Sequence, residues 1–64
     1  MSVINNPQFI NNEAVLAEDE DGEMTLSVDK RRKFFFNIGD ACQGPLDKGE
    51  LKHLGEQLIR LAGE

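Results

Sequence analysis

Apolar and polar positions along this chain follow two different periods. From Glu23 to Val28 they alternate, with Met24, Leu26 and Val28 on one side and Glu23, Thr25 and Ser27 on the other. That is the period-two signature of a strand with one buried face. A second run, Ala14 to Glu18, precedes it, and Asp21-Gly22 lies between them. The pair predicts a β-hairpin over residues 13–28 closed by a type I′ turn, whose two central residues both need φ > 0. A third strand over residues 33–38 places Phe34, Phe36 and Ile38 on one face. Joining that face to Met24, Leu26 and Val28 requires an odd-numbered connection, most simply Lys30-Arg31-Arg32. Val28 then opposes Phe34, Leu26 opposes Phe36 and Asp29 opposes Lys33. In the same register Val15 and Ala17 turn inward against Val28 and Leu26, while Leu16 and Phe35 point outward as a small apolar patch.

Beyond Gly44 the period lengthens to that of a helix. Leu51, Leu54, Leu58 and Leu61 recur on one stripe, flanked by Gly55, Ile59 and Ala62, and Lys52, His53, Glu56, Gln57 and Arg60 occupy the other side. Asp47 is placed to cap the first turn, and Glu50 three residues on can reach back to the Asp47 amide, which together make a capping box. Leu46 and Leu51 sit where a hydrophobic staple would join them. Gly63 follows the last apolar residue, the position of a terminating glycine.

The remaining segments carry weaker patterns. Residues 1–12 form an apolar, Asn-rich N-terminal arm in which Asn6-Pro7 could open a single helical turn. Val3, Ile4, Phe9 and Ile10 predict that the arm docks, either on its own domain or on a second copy. Gly39–Pro45 is rich in turn formers and reads as a loop. The predicted architecture is therefore α+β: a three-stranded antiparallel sheet (β-β-β) followed by one C-terminal amphipathic helix packed on one face, a single domain over residues 13–64. The helix is expected to cover Met24, Leu26, Val28, Phe34, Phe36 and Ile38, with Leu58 and Phe36 in the core.

Composition narrows the function classes. Sixty-four residues make one small domain, near the lower limit for folding without a staple. The single cysteine excludes an intramolecular disulfide, and Cys42 with His53 supplies too few ligands for zinc. The expected compartment is the reducing cytoplasm; no apolar run approaches membrane-spanning length and no export signal is evident. The net charge is only −5, but its distribution is uneven. Residues 1–29 contain Glu13, Glu18, Asp19, Glu20, Asp21, Glu23 and Asp29 and no lysine or arginine, and Lys30, Arg31, Arg32 and Lys33 follow without a break.

None of this composes a catalytic motif. Aligning Gly22 with the obligatory glycine of a calcium loop puts Ala17 and Val28 at the first and last ligand positions, so the loop is not an EF-hand. Cys42 and His53 could be a nucleophile and a base, but nothing orients the imidazole, and His53 falls on the polar side of the helix. There is no phosphate-cradling glycine loop. The expectation is a protein that is not an enzyme and takes no cofactor or metal. Lys30–Lys33 beside Phe34-Phe35-Phe36 could hold phosphates while a ring stacks on a base, but the patch is short and two of the rings belong to the predicted core.

The acidic hairpin is the stronger candidate. Glu18, Asp19, Glu20, Asp21 and Glu23 place five carboxylates within six positions of a tight turn. Such a turn can simply be a solvated tip that keeps an edge from aggregating; it can also be an anionic prong complementary to a basic protein surface. In size, in acidity and in this hairpin the chain resembles the small inhibitors that bacteriophages make against host nucleases, including the anti-CRISPR proteins. The resemblance implies a non-catalytic protein in the host bacterial cytoplasm that blocks a nucleic-acid-binding complex, such as a CRISPR effector, by mimicking nucleic acid. The alternatives are a small homodimeric structural or accessory module and, behind it, a nucleic-acid binder using Lys30–Lys33.

Overall fold

A computed structural model describes residues 1–63. The fold is α+β, an antiparallel sheet followed by one C-terminal helix, but the sheet has five strands rather than three. They are β1 (Ser2–Val3), β2 (Glu13–Asp19), β3 (Gly22–Val28), β4 (Phe34–Ile38) and β5 (Ala41–Leu46), hydrogen-bonded in chain order, and the helix α1 spans Lys48–Ala62.

The central pair follows from the alternation. Val28 opposes Phe34, Leu26 opposes Phe36 and Met24 opposes Ile38, the register that the three-residue connection dictates. The Asp29 amide donates to the Lys33 carbonyl at 3.0 Å, and Arg32 takes the left-handed φ of 64° that closes the turn.

The two additional strands come from segments without alternation. Asn11 and Asn12 have φ of 54° and 65°, the two positive values of a type I′ turn. Around them Ile10 and Glu13 exchange both backbone hydrogen bonds, at 2.9 and 3.2 Å. Asn6 is also left-handed, with φ of 53°, so no helical turn opens at Asn6-Pro7. The chain thereby returns to pair Ser2 with Glu18 and Val3 with Ala17, and Phe9 packs on Phe34 with ring centroids 6.4 Å apart. At the other edge, Gly39 (φ 58°) and Asp40 form a two-residue turn between Ile38 and Ala41. What reads as a loop is therefore strand β5, whose Pro45 is tolerated because an edge strand needs fewer ladder donors.

Two expected details of the hairpin are corrected. The residues at the tip are Glu20 and Asp21, with Asp19 opposite Gly22, so Asp21-Gly22 is not a type I′ centre. Instead the Asp19 carboxylate accepts the Asp21 and Gly22 amides at 2.9 and 3.1 Å, a side-chain turn that needs no left-handed pair. The register of β2 also slips by one residue between Val15 and Ala17. This bulge turns Ala14 inward opposite Leu26 and Ala17 inward opposite Met24, while Val15 pairs with Thr25 on the other face.

The inward face therefore has three rows across the strands. Val3, Ala17, Met24, Ile38 and Ala41 form one, Ala14, Leu26, Phe36 and Gln43 the next, and Val28, Phe34 and Leu46 the last. The most buried members are small: Ala14 and Ala17 are each 3% exposed, and among the described residues Leu26 is the one large apolar side chain buried with them.

The helix begins as its sequence requires. Asp47 Oδ1 accepts the Glu50 amide at 2.7 Å and Glu50 Oε1 accepts the Asp47 amide at 3.0 Å, a complete capping box. Gly63 at the other end has φ of −84°, so the terminating residue is right-handed, not the left-handed glycine the sequence suggests. The helix does not lie across the sheet. Its main contact is with adjacent β5, and its first turns line an open groove together with Phe9, Leu26 and Phe34. Leu51 and Leu54 are half-buried, but Leu58, Ile59 and Leu61 are 56%, 74% and 66% exposed. The expected burial of Leu58 beneath a full helix–sheet interface is thus overturned, and the sheet row containing Ile38 stays open.

Candidate functional site

A meander in chain order puts alternate turns at opposite ends of the sheet. The β2–β3 turn (Glu20, Asp21) and the β4–β5 turn (Gly39, Asp40) share one end; the β3–β4 turn and the start of α1 share the other. A shallow hollow of about 180 Å³ bounded by Asp19, Asp21, Glu23, Met24, Ile38 and Gly39 marks where the first two turns meet.

The structure therefore gathers Glu18, Asp19, Glu20, Asp21 and Glu23, all exposed, at one end and adds Asp40 to them. Asp40 lies far from the acidic run in sequence, and its place is signalled only by Gly39-Asp40, a two-residue hairpin turn between the apolar Ile38 and Ala41. Glu18 and Glu23 face each other directly across β2 and β3, an unfavourable like-charge pair. Asp19 differs from the rest, since its carboxylate also holds the turn.

Lys30, Arg31, Arg32 and Lys33 occupy the opposite end, with Lys48 and Lys52 of the first helical turns. A seven-residue strand rises about 20 Å between the two ends, well beyond the Debye length of about 8 Å at physiological salt. The basic turn is internally braced: Asp29 Oδ1 accepts the Arg31 and Lys33 amides at 2.8 and 2.9 Å. The neighbouring rings are engaged. Phe34 packs with Phe9, Phe36 lies in the inward face opposite Leu26, and the Phe35 ring lies against Gly44 on the outward face.

Cys42 and His53 are both exposed, one on β5 opposite Asn37 and the other on the helix. Among the described residues no three His, Cys, Asp or Glu side chains converge on a metal position, and no helix is long and apolar enough to cross a membrane. No family model, curated protein or solved structure matches this chain.

Proposed function

We propose that this chain is a non-catalytic binding protein whose acidic end docks on a basic protein surface that ordinarily holds nucleic acid, inhibiting by occlusion as a nucleic-acid mimic. The observation that carries the reading is the collection of Glu18, Glu20, Asp21, Glu23 and Asp40 at one end of the sheet, with Glu18 directly opposite Glu23 and the basic turn at the far end. At the hairpin turn the Asp19 carboxylate holds the Asp21 and Gly22 amides. The other carboxylates repel one another and are surplus to it, which is the pattern of charge retained for a partner. Sites of this kind increase the rate of encounter and select the partner by sign.

The test is competition. A bacterial nuclease complex of the CRISPR effector type is titrated with this chain in the presence of its labelled target DNA, at several salt concentrations. Displacement of DNA that weakens as salt rises is the expected result. Glu18→Gln, Asp19→Asn, Glu20→Gln and Glu23→Gln together should slow association and flatten its salt dependence, with the fold retained because asparagine can still accept at the turn. Neutralising Lys30, Arg31 and Arg32 is the control. Binding abolished by the control but not by the acidic replacements would assign the site to the basic turn instead.

A further inference from the structure

We propose that two copies of this chain associate, the Leu58 and Leu61 ridge of each helix seating in the apolar groove of the other. The groove lies between the first turns of α1 and the inward face of the sheet, is open, has a volume of about 670 Å³, and is lined by Phe9, Leu26, Phe34 and Leu51 with Lys48 and Lys52 at its rim. The ridge lies farther along the same helical stripe, with Ile59 on its flank, and Leu58, Ile59 and Leu61 are all more than half exposed.

The area of the chain argues for an occupant of this size. Its accessible surface is 5453 Å² for 7.2 kDa, whereas a folded monomer of that mass exposes about 4,100 Å². The surplus is about 1,300 Å² per chain, so two copies withdrawing it would bury about 2,600 Å², inside the range of obligate homodimers. The radius of gyration says the same: 12.1 Å against about 10.7 Å for a compact chain of 64 residues. Isolated helices of this length are marginal in water, and α1 has no buried residue, so its distal half needs a partner that the sheet does not provide.

A second copy fits better than an unrelated protein because one chain carries both halves of the contact. Ridge and groove lie on the same surface, so a two-fold axis satisfies both at once and closes the assembly. The acidic end contributes nothing to this contact, and the inference stands or falls separately from the DNA-mimic reading.

Sedimentation equilibrium of the full chain over a roughly hundredfold concentration range, with melting measured on the same samples, tests it. The expected results are a mass of twice 7.2 kDa at the upper concentrations and a melting temperature that rises with concentration. Leu58→Glu with Leu61→Glu should give a monomer, whereas Gln57→Glu on the polar side should leave the dimer intact. A monomer at every concentration overturns the proposal, as does a dimer that survives the double replacement. If the double variant does not fold, the unmodified chain decides: a melting temperature independent of concentration overturns the proposal.

Discussion

At Gly44 the backbone φ is 150°, and an added Cβ would lie 2.7 Å from both the Phe34 carbonyl oxygen and Phe35 Cδ1. The residue is thus fixed by two independent causes, a conformation that side chains rarely adopt and an aromatic ring packed on its α-carbon. Gly22 has nearly the same φ, 153°, but open space where its Cβ would be. The two positions separate strain from collision. Gly22→Ala should cost about 1–2 kcal/mol from the backbone alone, and Gly44→Ala more, about 2–4 kcal/mol, because the carbonyl and the ring must also move. Chemical denaturation of the two variants checks this, and equal losses would mean that Phe35 swings aside freely. Asp19 shows the converse, a carboxylate whose position in an acidic cluster hides a structural duty to two backbone amides.

Strands and helix differ in how far their contacts are satisfied. Leu26 sits at the centre of the inward face, so Leu26→Ala should already cost about 2–3 kcal/mol in dilute solution, where the chain stands alone. Leu58→Ala removes a side chain that its own sheet leaves 56% exposed. Its effect on the melting temperature should be small in dilute solution and grow as the protein is concentrated; a loss independent of concentration would place Leu58 in the core of a single chain. This difference also explains what could be read beforehand. The alternation of β3 and the spacing of Phe34, Phe36 and Ile38 fix their register, and Asp47 with Glu50 fixes the start of the helix, because each is a local rule with one solution. The bulge at Val15 has no glycine or proline to announce it. The β5 strand is written in Gly44 and Pro45, which spell a loop unless the strand is known to be an edge. Asn11-Asn12 closes a type I′ turn without the glycine that usually flags one, so β1 reads as an arm. The acidic residues are adjacent in sequence and were visible together; Asp40 joins them only through the β4–β5 turn.

On the scale of the molecule, the β2–β3 and β4–β5 turns gather acid and the β3–β4 turn gathers base, on a sheet that holds them about 20 Å apart. Glu18 facing Glu23 means that the acidic end is held together against its own repulsion. Glu18→Gln should therefore raise the melting temperature slightly at low salt and leave it unchanged at high salt; a gain that persists in high salt would point to a cause other than charge. The separation also has a mechanical consequence. A stiff body with unlike poles carries a permanent electric dipole, and near a charged wall it feels a torque before it touches. It arrives aligned, one pole leading, so its behaviour on an ion exchanger is set by that pole and not by the net charge of −5. Glu20→Lys combined with Arg31→Glu keeps the net charge while weakening both poles, and that variant should leave an anion-exchange resin at lower salt. Co-elution of the two proteins would show that the poles are too weak to aim the molecule.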